Sequence, residues 1–186
     1  LNSSCIDSIL VSSDNQEIIK KSLKYKNIFI DHRPESLATD ESHVIDTILR
    51  IIKAYPKYDE IILLQPTSPL RNSEDIDSIK TFKSQKQLQS VVSICKCNTP
   101  PELIYKINKK QTLEPFLKYE NTNKRRQEFS KSFQINGAMY IADKKWIEKE
   151  QKLISDETGG FEMPLERSVD IDSVLDLKWA KFLFKD

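Results

Sequence analysis

Glycine is scarce in this chain. Only Gly137, Gly159 and Gly160 occur in 186 residues, where an average usage of about 7% would supply roughly a dozen. Proteins that handle nucleoside triphosphates usually cradle phosphate in a Gly-rich loop or at a helix N-terminus, and the sequence contains no such loop. It also lacks a long uncharged apolar run, so no transmembrane helix is expected, and its start shows no signal-peptide pattern. Charge of one sign is missing as well: 29 Lys+Arg against 28 Asp+Glu leave a net charge of +1. That balance offers no electrostatic basis for nucleic acid or an anionic membrane as the main partner. The three cysteines, Cys5, Cys95 and Cys97, are odd in number and lack metal-type spacing. They read as reduced thiols of a cytoplasmic protein, with Cys95 and Cys97 packing on one face of a strand. The chain begins at Leu1 rather than at Met.

What is present alternates regularly. Ile6–Ser12 reads as a strand, Asn15–Tyr25 as a helix and Asn27–Ile30 as a second strand. A helix is expected from Thr39 or Asp40 to about Tyr55, with Val44, Ile45, Ile48, Leu49, Ile51 and Ile52 at the 3.6-residue period and Asp40 as N-cap. Glu60–Leu64 (EIILL) is a nearly continuous apolar run, the mark of a strand buried on both faces. Asn72 or Ser73 caps a helix that turns Ile76, Ile79 and Phe82 inward, and Ser90–Ile94 is a further strand. This order signifies an α/β domain with a mainly parallel sheet. Residues 96–133 differ: they are polar, rich in Lys and Asn, and hold short strand-like pieces at Leu103–Ile107 and Thr112–Phe116. Their aromatics, Tyr105, Phe116 and Tyr119, mark an inserted arm rather than a linker. The core resumes with a strand at Ala138–Ala142, a short helix from Asp143 and a tail helix from Ser173. Ser173 and Asp176 form a capping-box pattern there, with Val174, Leu177 and Leu183 available for packing.

Chemistry concentrates in two segments. In Leu63–Arg71 (LLQPTSPLR) a buried strand ends and the chain turns at Gln65-Pro66. Ligands of open α/β sheets bind beyond the carboxyl ends of the strands. The Gln65 amide can donate and accept at once, Pro66 and Pro69 stiffen the loop, and Thr67 and Ser68 offer hydroxyls. In Ser168–Asp172 (SVDID), an extended backbone puts Asp170 and Asp172 on one face and Val169 and Ile171 on the other. Two carboxylates so placed repel unless a cation lies between them, and Mg²⁺ suits oxygen ligands. Asp176 is a cap rather than a ligand. His32 and His43 are isolated and take no role, and Phe161 and Met163 fit either a pocket wall or the core.

LLQPTSPLR closely resembles the signature of the acylneuraminate (CMP-sialic acid) cytidylyltransferases. Other blocks agree in the same order: Ile9–Asp14 (ILVSSD), Arg33–Asp40 (RPESLATD), Arg125-Arg126-Gln127 with Asn136–Ile141 (NGAMYI), and SVDID. Together they cover nearly the whole chain. The resemblance implies a Rossmann-like sheet with helices on both faces, of the nucleotide-diphospho-sugar transferase type. The core would be 1–95 and 134–186, with 96–133 as an inserted dimerisation arm. The implied reaction joins CTP and a nine-carbon 2-keto sugar acid into CMP-sugar and pyrophosphate, with Mg²⁺ held by Asp170 and Asp172. Gln65, Thr67, Asn136 and Tyr140 would serve the sugar. Arg33 and Ser42 would serve the nucleotide, and Arg126 would reach the site of a partner subunit in a homodimer.

Family members begin with a strand, a Gly-rich loop and most of a helix ahead of the point matched by Leu1. Their lack would explain the missing Met and the scarce glycine. A chain without them is expected to bind CTP poorly and to catalyse slowly, since loss of a central strand leaves backbone groups unpaired. The competing readings are a different CMP-sugar synthetase (legionaminic, pseudaminic or Kdo type, the last disfavoured by LLQPTSPLR) and a catalytically incompetent fragment that only dimerises.

Overall fold

The alternation of short apolar runs with amphipathic stretches becomes a chain of strands and helices in the computed structural model, which describes residues 2–117, 125 and 129–184. Two compact units emerge. The first comprises Leu1–Leu64, Arg71–Val92 and Met139–Gly159, and the second Gln65–Leu70, Ser93–Ala138 and Gly160–Asp186. The strands are β1 (Ile9–Ser13), β2 (Ile28–His32), β3 (Glu60–Leu64), β4 (Ser90–Lys96), β5 (Tyr105–Ile107), β6 (Leu113–Pro115), β7 (Phe133–Asp143) and β8 (Gly159–Glu162). The helices are α1 (Gln16–Ser22), α2 (Val44–Ala54), α3 (Ser73–Gln85), α4 (Lys144–Glu150) and α5 (Val174–Leu183). The sheets are ordered β1-β2, β3-β7-β4-β8 and β5-β6.

In the first unit, β1, α1 and β2 form a parallel βαβ unit with Ile9 opposite Ile28 and Ser13 opposite His32. The Asn15 side chain caps α1 by accepting from the backbone N–H groups of Glu17 and Ile18. β3 runs antiparallel to β7, from Glu60 opposite Asp143 to Leu64 opposite Met139. The α/β class is as the sequence implies, and the pairings make the architecture mixed: parallel at β1-β2, antiparallel at β3-β7. EIILL is half-buried along its length rather than buried on both faces, because among the described residues β3 lies at the edge of its sheet. A core of Ile48, Ile52, Ala142, Trp146 and Ile147 joins α2, β7 and α4.

Local capping explains where the helices begin. α3 is capped by Asn72, one of the two expected candidates, in a full box with Asn72 and Asp75 each accepting from the other's backbone N–H. α2 starts later than expected: His43 rather than Asp40 precedes it, without a side-chain cap. Pro34 leads into a short 3₁₀ turn at Glu35–Leu37. Ser42 Oγ then closes the following turn, accepting from Thr39 N at 3.2 Å and donating to Ser36 O at 3.3 Å. That turn keeps the chain out of helix through Asp40.

Charge is handled inside this unit. Lys83 is nearly buried and bridges Glu60 at 2.7 Å and Asp143 at 2.5 Å. Burial disfavours its charge, but the bonds to Asp143 and Glu60 outweigh that and raise its pKa. This stabilisation is present below the unfolded lysine value of about 10.4 and is lost as pH rises through the folded one. Asp31 behaves oppositely. Burial raises its pKa, yet hydrogen bonds from Arg50 and Ser12 prevail and lower it. Its contribution is present above about pH 3.9 and is lost as pH falls through the folded value. Asp77 anchors the start of the chain, accepting from Ser3 Oγ at 2.6 Å, Ser4 N at 3.0 Å and Cys5 N at 3.2 Å. These bonds hold its carboxyl well below the ordinary range.

In the second unit, β5 and β6 form an antiparallel hairpin within residues 96–133, with Tyr105 opposite Pro115. Cys95 is buried and Cys97 half-buried just beyond the end of β4, where its thiol meets Thr99 O at 3.0 Å. They therefore do not share a strand face. Both are free thiols. α5 carries the expected Ser173–Asp176 capping box. Its packing differs from expectation: Ala180 is buried, whereas Val174 and Leu177 are exposed. No helix among the described residues is long and apolar enough to cross a membrane.

Candidate active site

The site builds up around Gly137. This residue sits in β7 with φ at 71°, a left-handed conformation that side chains resist. A Cβ there would lie 2.8 Å from Gln65 Oε1 and 2.9 Å from Asp170 Oδ2. The two motifs that sequence reading treated separately thus converge over one glycine. Gln65 arrives at the end of the LLQPTSPLR strand, and Asp170 arrives on the SVDID segment.

SVDID does not form a strand. Its backbone is held instead by a bond from Ile171 N to Thr67 O at 2.9 Å. Asp170 is consequently half-buried and Asp172 exposed, so the two carboxylates are not the equivalent pair that alternation implies. Ser68, wholly buried, donates to Asn136 O at 3.3 Å and lies 3.5 Å from Asp170 Oδ1. Thr67 is exposed. Neither Asp170 nor Asp172 has an ion-pair partner among the described residues. Likewise, no cluster of three or more His, Cys, Asp or Glu side chains there could hold a metal alone. Mg²⁺ needs no such cage, because one or two carboxylates with substrate phosphates suffice. The donor set at Asp170 and Asp172 fits that requirement.

Asn136, expected on the sugar side, is buried and internally bonded. Its Oδ1 accepts from Ser93 Oγ at 2.6 Å and Ala138 N at 3.2 Å. Its Nδ2 donates to Ser168 Oγ at 2.9 Å and Met163 Sδ at 3.4 Å. Met163 is therefore core, while Phe161 is half-buried. Tyr140 is half-buried opposite Leu63. Gly137 interrupts the pleat between Asn136 and Tyr140, so simple alternation does not relate them. Arg33 holds the end of β1, its guanidinium donating to Ser12 O at 2.8 Å and Ser12 Oγ at 3.3 Å. Ser42 closes the turn described above. Arg126 lies outside the described residues, as do Tyr119, Lys124 and Gln127. His32 and His43 are exposed.

Comparison with known proteins bears on what this geometry serves. A CMP-N,N'-diacetyllegionaminic acid synthase of Legionella pneumophila is 30% identical, with 97% of this chain and 78% of that protein aligned. The chain belongs to the family of N-acylneuraminate cytidylyltransferases and related CMP-nonulosonate synthases. An Escherichia coli N-acylneuraminate cytidylyltransferase is also 30% identical, and there the alignment takes in 97% of this chain but only 42% of the relative. A Campylobacter jejuni pseudaminic acid cytidylyltransferase is 28% identical, with 81% of its length spanned. No protein-family model matches the sequence. Among solved structures, a 4-diphosphocytidyl-2C-methyl-D-erythritol synthase of Anaerococcus prevotii superposes with a TM-score of 0.66 at 18% identity, over all of this chain and 82% of that one. A CMP:2-keto-3-deoxy-manno-octonic acid synthetase complexed with CTP superposes at 0.64 and 12% identity, over 99% of this chain and 83% of that one. These likenesses show a fold shared by the cytidylyltransferase family and other nucleotidyltransferases.

Sequence reading gave no individual role at this site to Ser93, nor to Gly137 and Ser168, which it had quoted only within NGAMYI and SVDID. For Gly137 a signal existed: a glycine inside a strand pattern, in a chain almost without glycine, marks a bulge or a close approach. For Ser93 none existed, since nothing about a lone serine reveals a buried amide partner far away in sequence.

Proposed function

We propose that the protein transfers CMP from CTP to the anomeric hydroxyl of a nonulosonic acid of the N-acylneuraminate class, releasing pyrophosphate. The observation that carries this reading is the convergence of Gln65 and Asp170 over Gly137. The anomeric oxygen forms a bond to the α-phosphorus as the bond to the pyrophosphate oxygen breaks, and the hydroxyl proton is lost. Such a displacement is accelerated chiefly by positioning and charge neutralisation. Gln65, able to donate and accept together, orients the sugar acid, assisted by the exposed Thr67 hydroxyl. Tyr140 keeps the sugar-side role that the resemblance implies. Asp170 and Asp172 would hold Mg²⁺, which when bound neutralises charge on phosphate oxygens. The direct test supplies CTP, Mg²⁺ and several nonulosonic acids in turn and follows CMP-sugar and pyrophosphate. Product is expected with at least one N-acylated nonulosonic acid; release of pyrophosphate only with Kdo, or with none of them, would defeat the assignment.

The second part of the reading is a homodimer formed through residues 96–133. Support comes from the hairpin, where Ile107 and Leu113 are each 68% exposed and Phe116 is 56% exposed. Apolar exposure concentrated on so small an element is characteristic of an interaction surface. Arg126, from the same segment, would then act in the partner's site as a carboxylate or phosphate ligand. Introducing charge by Ile107→Glu with Leu113→Glu should convert dimer to monomer in sedimentation equilibrium. A wild-type protein that is monomeric at high concentration would end this part of the reading.

A further inference from the structure

Ser12 and Asp31 lie opposite each other in the parallel pair β1-β2. The strands end next, at Ser13 and His32. Arg33 follows, its backbone N–H bonded to Ser13 O at 3.0 Å. Ligands of α/β sheets bind beyond such carboxyl ends, and Arg33 is half-buried there. Its Nη2 donates to Ser12 O at 2.8 Å and its Nε to Ser12 Oγ at 3.3 Å. Both bonds use the same edge of the guanidinium. The Nη1 end has no partner among the described residues, and a guanidinium can only donate.

The Ser12 hydroxyl sets how firm this anchor is. A hydroxyl donates its proton once and accepts with its lone pairs. The proton goes to Asp31 Oδ2 at 2.6 Å, which turns the lone pairs toward Arg33 Nε. The same Asp31 oxygen accepts from Nη2 of Arg50 on α2. Only 11% of the Asp31 side chain is exposed, a setting in which a carboxylate needs a cation and hydrogen bonds. Arg50 reaches it at a cost, because its own Nε is buried without a hydrogen-bond partner. Arg50, Asp31, Ser12 and Arg33 thus form one directed chain from a helix to a strand end.

We propose that Asp31 and Arg50 are positioning residues, which fix the Arg33 guanidinium through the Ser12 hydroxyl and so present its Nη1 end to acceptor atoms of CTP. The relay stands on the hydrogen bonds alone, while its consequence for CTP rests on the function proposed above. NMR of the ligand-free protein tests the relay through hydrogen exchange at Arg33 Nε. Asp31→Asn and Ser12→Ala should each speed that exchange about tenfold, because an asparagine N–H competes with Arg33 for Ser12 Oγ and alanine removes the acceptor. Ser12→Thr keeps the hydroxyl and suits a strand, so it should restore slow exchange. Arg50→Gln should act in the same direction as Asp31→Asn, and no change there would remove Arg50 from the relay. Titration calorimetry with CTP and Mg²⁺ then tests the consequence. Asp31→Asn should weaken CTP binding about fivefold in the wild-type background and less than about twofold beside Arg33→Ala, as expected of residues acting through one another. In turnover, Asp31→Asn should raise KM for CTP and leave KM for the sugar acid unchanged. Loss of fold stability alone would move neither the cycle nor one KM without the other. Unaltered exchange at Arg33 Nε in Ser12→Ala would overturn the proposal, and this variant decides the matter if Asp31→Asn does not fold. An effect of Asp31→Asn on CTP that persists in full beside Arg33→Ala would also overturn it. A wild-type chain that binds no CTP would instead refute the proposed function and leave the exchange result to decide the relay.

Discussion

Gly137→Ala should cost the protein far more in turnover than in stability. A side chain at φ 71° incurs about 1–2 kcal/mol of backbone strain, which lowers Tm by roughly 2–8 °C in a domain of this size. The new methyl would also lie within 2.8 Å of Gln65 Oε1 and 2.9 Å of Asp170 Oδ2. Both atoms end flexible side chains, so they swing away and relieve the overlap at small energetic cost. Their displacement is the larger effect, because a shift of about 1 Å in a reacting site lowers rate by about 10²-fold. Differential scanning calorimetry beside initial-rate assays separates the two losses. A variant that melts lower but turns over normally below its Tm would show that Gly137 matters only for the backbone.

Replacing Asp170 by Asn should abolish the dependence of CTP binding on Mg²⁺ and reduce turnover by about 10²-fold or more, the scale seen when one preorganised charge-stabilising group is lost. The substitution preserves shape, and no cation among the described residues pairs with this carboxylate. Tm should therefore change little. Asp172→Asn should show the same direction with a smaller effect, because Asp172 is exposed while Asp170 is half-buried beside Gln65. Titration calorimetry of CTP with and without Mg²⁺ provides the measurement. Mg²⁺-dependent binding unchanged in both variants would remove the metal from these residues.

The β1-α1-β2 order, the cap at Asn72, the capping box at Ser173 and the short strands inside 96–133 were legible because each depends on short-range signals: apolar period and cap chemistry. The later start of α2 was not, because Asp40 has the right chemistry for a cap but the Ser36–Ser42 turn claims its backbone first. EIILL shows the same limit on burial. An apolar run announces a strand, but only the sheet order reveals that this one is an edge.

The family was legible in the sequence alone, since LLQPTSPLR and SVDID are among the ordered blocks that resemble it. Alternation along SVDID suggested two equivalent carboxylates. Tertiary structure decided otherwise: the segment forms no strand, Ile171 N bonds Thr67 O, and Asp170 lies half-buried near Gly137 while Asp172 is exposed. It also buries the Asn136 amide in bonds with Ser93, Ala138, Ser168 and Met163. Both outcomes depend on bonds between residues far apart in the chain, such as Ser93 with Asn136 and Ile171 with Thr67. Local propensity does not encode such pairings; they arise when buried polar groups must find partners in the folded interior. Gly137 joins the two levels, for its rarity was visible in the sequence, and its purpose appears only where two side chains need the space a Cβ would fill.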